Sequence, residues 1–163
     1  MRWVRHLFAR SAAACFPLES LHRIADAITQ SERSHTGQVS FAVESSLRLG
    51  ALWRGVDSRQ RAHLAFSRLR TWDTEANNGV LIYLLLVDHR IEVVADRGLI
   101  GGELDARWAA LCERLGQRLR VGEYEAAVLD AVAEASAVLA ETWPRNASHV
   151  ADNELPDQPV FLD

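Results

Sequence analysis

An unbroken run of eight residues without a charged side chain constrains the fold of this chain more than any other feature. The run extends from Val80 to Val87, and a polar, acidic loop from Thr71 to Gly79 leads directly into it. It is too short to cross a bilayer, because a membrane-spanning helix needs about 20 apolar residues. Apolar side chains at nearly every position are typical of a strand that is buried on both faces. The run therefore predicts the central strand of a sheet with helices on both sides.

A second strand is predicted after a short polar break. The break is Asp88-His89-Arg90, and the strand runs from Ile91 to Asp96. Two strands separated by two or three turn-prone residues form an antiparallel hairpin. With a turn of that length, Asp96 is expected opposite Leu81 or Ile82. The acidic loop must then lean over the end of the sheet if it shares a site with Asp96.

The segment before the hairpin predicts the rest of the sheet. Residues Gln38 to Glu44 alternate as a strand, and a helix capped by Asp57 or Ser58 connects them to the central strand. Such a βαβ unit predicts a right-handed crossover and parallel pairing. Three strands are few for the number of predicted helices, so a fourth is expected either in Leu47–Trp53 or in the C-terminal tail. The predicted fold class is α/β, a small mixed sheet flanked by helices on both faces.

The chain of 163 residues is predicted to form a single folded domain with two distinct ends. Residues 1–16 form an amphipathic N-terminal segment, residues 17–145 the domain, and residues 146–163 an acidic, extended tail. Charged residues interrupt the N-terminal segment too often for a signal peptide. The segment is expected to dock on its own domain through Trp3 and Phe8, with contact to an anionic membrane surface as the less favoured alternative. No transmembrane segment and a cytoplasmic location are predicted.

Composition and missing motifs exclude several function classes. The net charge of −4 argues against a nucleic-acid partner, which requires clustered basic charge. Cys15 and Cys112 have no zinc or disulfide spacing, so both are expected to be buried, reduced thiols. The absence of GxSxG, P-loop and GxGxxG patterns argues against a serine hydrolase and against these nucleotide sites. His35 precedes Thr36-Gly37 and is predicted to end a helix rather than to act in catalysis.

Oxygen-bearing side chains before and after the hairpin suggest a cation site. Asp73, Glu75 and Asn77 alternate in the acidic loop, Asn78 precedes the central strand, and Asp96 ends the returning one. Hard cations such as Ca²⁺ or Mg²⁺ prefer oxygen ligands of this kind. The alternative is a solvated loop whose polar side chains bond to nearby backbone, with Asp96 as a turn residue.

Several short motifs together resemble the TPM domain family over roughly residues 17–157. They are Ser31-Glu32, His35-Thr36-Gly37-Gln38-Val39, Trp72-Asp73-Thr74-Glu75, Asn78-Gly79-Val80-Leu81-Ile82-Tyr83, Ile91-Glu92-Val93-Val94-Ala95-Asp96-Arg97-Gly98, Trp108 and Gly122-Glu123-Tyr124. Asn153-Glu154-Leu155-Pro156-Asp157 is similar to a short, single-domain proteobacterial branch. The resemblance implies a helix–sheet–helix sandwich, divalent-cation binding, and an acid phosphatase activity proposed for plant members.

Two functions follow as expectations. The first is a cation-binding regulatory or interaction module, with Asp73, Glu75, Asn78 and Asp96 as ligands of Ca²⁺ or Mg²⁺. In this reading Asn153, Glu154 and Asp157 form a contact for a protein partner. The alternative is a metal-assisted phosphomonoesterase that uses the same ligands. The first is favoured because the sequence contains oxygen ligands but no recognisable nucleophile or general acid.

Overall fold

A four-stranded mixed sheet forms the centre of the computed structural model, which describes residues 11–145 and 153–162. The strand order is β3-β2-β1-β4. Strands β1 and β2 pair in parallel, as do β1 and β4, and β3 is antiparallel to β2. Every residue of β2 is buried, which confirms the predicted central strand. The strands are β1 (Gln38–Glu44), β2 (Gly79–Leu85), β3 (Arg90–Ala95) and β4 (Val160–Phe161).

Six α-helices surround the sheet among the described residues. Short 3-10 turns, Leu86–Asp88 and Arg97–Leu99, flank β3. Asp57 caps the fourth helix in a capping box with Gln60, so its side chain accepts a hydrogen bond from the backbone of the first turn. The helices are α1 (Ala12–Cys15), α2 (Leu18–Ser31), α3 (Leu49–Trp53), α4 (Ser58–Arg68), α5 (Glu103–Arg120) and α6 (Tyr124–Thr142).

The two faces of the sheet belong to separate apolar cores, as strand alternation requires. Val80, Ile82 and Leu84 pack on one face against residues of α2, α5 and α6. Leu81, Tyr83 and Leu85 pack on the other face against residues of α3 and α4. Helices therefore cover both faces of the sheet, and the predicted α/β sandwich is confirmed.

The fourth strand lies in the tail, and the other candidate segment is helical. Val160–Phe161 pairs with Ala42–Val43 of β1. Within Leu47–Trp53, the side chains of Ala51 and Leu52 pack on the core, while Leu49 and Trp53 point outward with 48% and 90% of their surface exposed. This pattern matches a helix rather than a strand, because a strand would place Ala51 on the same face as Leu49 and Trp53.

The hairpin turn is longer than the sequence suggests. Leu85 pairs with Arg90, so four residues from Leu86 to His89 form the connection. The last residues of the apolar run form a 3-10 turn instead of extending β2, and His89 adopts a left-handed conformation with φ 48°. The register is consequently displaced from the predicted one, with Val80 opposite Ala95.

The sheet has two distinguishable ends, which are named here by its parallel strands. The lower end is the start of β1 and β2, at Gln38 and Gly79, and the upper end is their termination, at Glu44 and Leu85. No helix in the described part of the chain combines the length and apolarity needed to span a bilayer. The predicted docking through Trp3 and Phe8 lies outside the described residues.

Two further expectations concern individual side chains. Trp108, Leu111, Leu115 and Leu119 recur at helical spacing in the sequence and predict an apolar stripe on one helix. In α5, Trp108 and Leu111 pack in the core with 5% and 1% exposure. Cys15 and Cys112 are only half-buried and form no disulfide. Burial raises the pKa of the Cys112 thiol to about 11, which keeps it protonated at neutral pH.

Candidate functional site

The lower end of the sheet brings the acidic loop and the end of β3 together. The backbone N–H of Asp96 donates to the carbonyl of Gly79 at 2.9 Å, and that of Gly98 donates to the carbonyl of Asn77 at 3.1 Å. Asp96 therefore lies opposite Gly79, not opposite Leu81 or Ile82 as the shorter turn predicts. The loop need not lean over the sheet, because the longer hairpin turn carries Asp96 to it.

Asp96 is a buried carboxylate with one unsatisfied oxygen. Its side chain caps the turn that follows, since Oδ1 accepts from the N–H of Arg97 at 2.7 Å. The residue is 6% exposed, and Oδ2 has no protein hydrogen-bond partner. Burying a charged oxygen without a partner is unfavourable. A water molecule or a cation at Oδ2 would compensate this burial.

Asn78 presents a buried amide beside Asp96. Its backbone is held by the Thr74 hydroxyl, which accepts from the Asn78 N–H at 3.1 Å, and by Gln38, whose N–H donates to the Asn78 carbonyl at 3.4 Å. The residue is 1% exposed, yet neither Oδ1 nor Nδ2 has a protein partner. The fold therefore fixes the backbone of Asn78 and leaves its amide available.

Thr71 is the third residue next to Gly79 whose buried side-chain oxygen has no protein partner. A Cβ atom on Gly79 would lie 1.9 Å from the carbonyl oxygen of Thr71, so only glycine permits this approach. The Thr71 residue is fully buried, and its Oγ1 has no protein partner. Asp96 pairs with Gly79, Asn78 precedes it, and Thr71 packs on it. Gly79 is thus adjoined by all three residues, through strand pairing, sequence or packing.

Two unpartnered nitrogens lie at the same end. The Trp143 ring approaches Gly98, where a Cβ atom would lie 3.1 Å from ring atom Cζ2, and its Nε1 has no protein partner. The backbone of His35 forms an isolated antiparallel β-bridge with Pro144. Ring atom Nδ1 of His35 lies 3.0 Å from the Gly37 carbonyl, and Nε2 has no protein partner. Burial lowers the pKa of His35 and so favours its neutral form.

The sequence assigned no role to Thr71 or Trp143 and misjudged His35. Helix α2 ends at Ser31 with Glu32 as its cap, so His35 is a buried residue beyond the helix. The available signal was the pair Gly79 and Gly98, since a glycine at a strand end often marks a close backbone approach. The identity of the approaching residue depends on tertiary contacts.

Asp73 and Glu75 lie on the rim of this end. Asp73 forms an ion pair with Arg70, and its side chain is 46% exposed. Glu75 is exposed, and its backbone N–H donates to Glu154 Oε2 at 3.0 Å. Asn77 Oδ1 accepts from Arg97 Nη2 at 3.3 Å. Within residues 11–145 and 153–162, no three His, Cys, Asp or Glu side chains are close enough to hold a metal ion.

The tail residues bind the domain itself. Gln38 Oε1 accepts from the N–H groups of Glu154 and Leu155, each at 3.1 Å. Asp157 accepts from Thr29 Oγ1 at 2.5 Å and from Asn153 Nδ2 at 2.9 Å. Glu154 and Asp157, two of the three residues predicted as a partner contact, thus bind the domain, whereas Asn153 bonds within the tail.

Glu32 lies beneath the fastened tail. It is 8% exposed, and its Oε1 accepts from the Val39 N–H at 3.4 Å. Burial raises its pKa to about 7, and the neighbouring Asp157 adds to this shift. The surrounding groove has a volume of about 260 Å³ and is also lined by Arg33 and Arg145.

Comparison with known proteins agrees with this architecture. The family model of the TPM domain matches residues 12–138. The NMR structure of BA42 protein from the psychrophilic bacterium Bizionia argentinensis is similar, with a TM-score of 0.74 and 22% identity. The match covers 90% of this chain and 94% of that one, and at this identity it shows the fold alone. No curated protein matches the chain. Because the family model spans most of its length, the chain belongs to the TPM domain family.

Proposed function

We propose that this TPM domain binds a divalent cation at the lower end of its sheet. The observation that carries the proposal is that three residues adjoining Gly79, namely Asp96, Asn78 and Thr71, each bury a side-chain oxygen without a protein partner. One carboxylate, one amide and one hydroxyl are oxygen donors that hard cations accept. Asp73 and Glu75 lie further out, where their charge attracts a cation without direct coordination.

Ca²⁺ suits this set better than Mg²⁺. Ca²⁺ accepts irregular coordination by mixed oxygen ligands, whereas Mg²⁺ demands nearly octahedral geometry. Only Asp96 contributes a charge among the three buried ligands. We therefore expect weak binding, with a dissociation constant of about 10 µM to 1 mM.

Calorimetric titration of chelator-treated protein with Ca²⁺ and Mg²⁺ tests the proposal. Asp96→Asn keeps the size and the turn-capping oxygen but removes the charge, so Ca²⁺ binding should weaken by about tenfold or more. Asp26→Asn is the matched control. It removes the same charge, and Asp26 is exposed on α2. The ligand assignment is wrong if neither cation gives heat or a thermal shift, or if Asp96→Asn binds like the wild type.

The alternative, metal-assisted phosphomonoester hydrolysis, has one observation in its favour. Trp143 Nε1 and Asn78 Nδ2 are unpartnered donors at the same end of the sheet, and phosphoryl oxygens require donors of this kind. It ranks second because the sequence contains no recognisable nucleophile or general acid for this reaction. A phosphatase assay on the titrated sample decides: turnover must decrease together with Ca²⁺ binding in Asp96→Asn.

A further inference from the structure

The groove beside the docked tail lies apart from the residues proposed to bind the cation. It is named here the tail groove, and its volume is about 260 Å³. Glu32 and Arg33 line it from the end of α2, Gln38 from the start of β1, Arg145 from the segment after α6, and Asp157 from the tail. The proposed cation ligands are not among the described residues that line it. Its polar groups therefore need an account of their own.

Gln38 is a buried side chain of the tail groove with an unused donor. The residue is 1% exposed, and its Oε1 accepts from the N–H groups of Glu154 and Leu155, each at 3.1 Å. These two bonds assign the oxygen of the amide, so Nε2 is the atom left to bond elsewhere. In the described part of the chain, Nε2 has no hydrogen-bond acceptor. A buried donor without a partner indicates a ligand or a water at this position.

Two guanidinium groups line the same groove. Arg145 Nε donates to the His35 carbonyl at 3.2 Å, which fixes this side chain beside the groove. Neither Arg33 nor Arg145 forms an ion pair with any residue in 11–145 or 153–162. Each guanidinium carries five N–H donors and no acceptor. The groove is therefore rich in donors that the protein does not use.

The two carboxyl groups of the groove leave this donor character intact. Both oxygens of Asp157 already accept hydrogen bonds, from Thr29 Oγ1 at 2.5 Å and from Asn153 Nδ2 at 2.9 Å. Burial, and secondly the charge of Asp157, raise the pKa of Glu32 to about 7, although Arg145 opposes this shift. A protonated Glu32 carboxyl is neutral and adds an O–H donor to the groove.

We propose that the tail groove binds a small oxyanion, the carboxylate or phosphate group of a ligand, through Arg33, Arg145 and Nε2 of Gln38. Guanidinium groups match the geometry of both anions and form charge-assisted hydrogen bonds with them. The ligand is small, because the groove is below the range of about 300–1,000 Å³ found for pockets that hold drug-sized molecules. A cationic ligand fits less well, since it would face two arginines of like charge.

Amide NMR titration of cation-free protein with sulfate and with acetate tests this proposal. Both probes keep their charge between about pH 6 and pH 8, and sulfate represents a phosphate group whereas acetate represents a carboxylate. The side-chain N–H signals of Gln38 should shift on binding, and the probe that binds more tightly identifies the anionic group. Asp96→Asn should bind both probes like the wild type, because Asp96 does not line the groove. The result is therefore independent of cation binding.

Removal of the arginines should weaken oxyanion binding specifically. Arg33→Gln combined with Arg145→Gln should lower the affinity by about tenfold for each arginine, because charge-assisted hydrogen bonds are the stronger ones. The matched control is Arg48→Gln combined with Arg54→Gln, which removes the same charge from exposed positions around α3. The control should bind like the wild type, and unchanged thermal melting verifies that each variant is folded.

Glu32 makes the proposed binding dependent on pH. Its ionised carboxylate would repel the bound oxyanion, so wild-type affinity should decrease by about tenfold as the pH rises from about 6 to about 8. Glu32→Gln stays neutral and should bind equally at both pH values. The proposal is overturned if neither probe shifts the Gln38 side-chain signals, or if the Arg33 and Arg145 double variant binds like its control. It is also overturned if Glu32→Gln keeps the wild-type pH dependence.

Discussion

Two buried carboxylates differ in how the protein compensates their burial. Glu44 is 2% exposed, and its Oε2 accepts from Arg61 Nε and from Tyr83 Oη, each at 2.7 Å. That ion pair and phenol compensate the burial of Glu44 within the protein. Asp96 is equally buried but has an oxygen without a protein partner. The contrast between the two, rather than acidity alone, supports the proposed cation site at the lower end of the sheet.

Glu32 provides a prediction at the same scale. Its pKa, raised from 4.5 to about 7, means that the folded state disfavours the ionised form. The protonated Glu32 side chain therefore makes its full contribution to the free energy of unfolding below pH 4.5. That contribution is lost as the pH rises through 7. Glu32→Gln retains the acceptor for the Val39 N–H and abolishes this loss. The variant should be about 1–2 kcal/mol more stable than the wild type at pH 8, with little difference at pH 4.5.

Urea denaturation at the two pH values checks this expectation. Glu19→Gln is the control, because Glu19 is exposed on the same helix and should leave the pH dependence unchanged. A Glu32→Gln variant that follows the wild-type pH dependence would show that the carboxyl of Glu32 is ionised without penalty in the folded protein.

Among the elements, the sequence predicts helices and the central strand well and local connections poorly. The apolar run from Val80 and the stripe on α5 identify buried elements directly, because burial follows from the side chains themselves. The hydropathy of the side chains does not predict the length of the hairpin turn or the position of β4. Leu86 stays buried in a 3-10 turn, at 5% exposure, so hydropathy does not distinguish it from a strand residue. The two residues of β4 pair with β1 in a tail whose Glu154 and Leu155 also bind Gln38, a tertiary contact that hydropathy does not reveal.

Helix α5 carries a prediction that separates packing from hydrogen bonding. Trp108 is buried, and its Nε1 donates to the Leu99 carbonyl at 3.0 Å. Trp108→Ala should lower the free energy of unfolding by about 3–5 kcal/mol, since it removes a large core side chain. Trp108→Phe keeps much of the volume and loses the hydrogen bond, so a smaller decrease is expected. Chemical denaturation of both variants measures the difference, and an alanine variant as stable as the wild type would contradict the assigned packing.

For the whole molecule, the two ends of the sheet have different characters. The lower end collects buried oxygens, an acidic rim and a fastened tail, whereas the upper end exposes Trp53 and arginines. The sequence predicted Asn78 and Asp96 as ligands from their positions at strand ends. It did not identify Thr71. Thr71 lies in the loop after α4, and its contact with Gly79 of β2 exists only in the folded chain.

The most direct test of cation binding at the lower end is an amide NMR titration of the chelator-treated protein with Ca²⁺. The largest chemical-shift changes are expected for the amides of residues 71–79 and 96–98 and for the indole N–H of Trp143. The indole of Trp53 should not move, because it lies at the upper end. Spectra that do not change with Ca²⁺, or changes confined to the upper end, would contradict a cation site around Gly79.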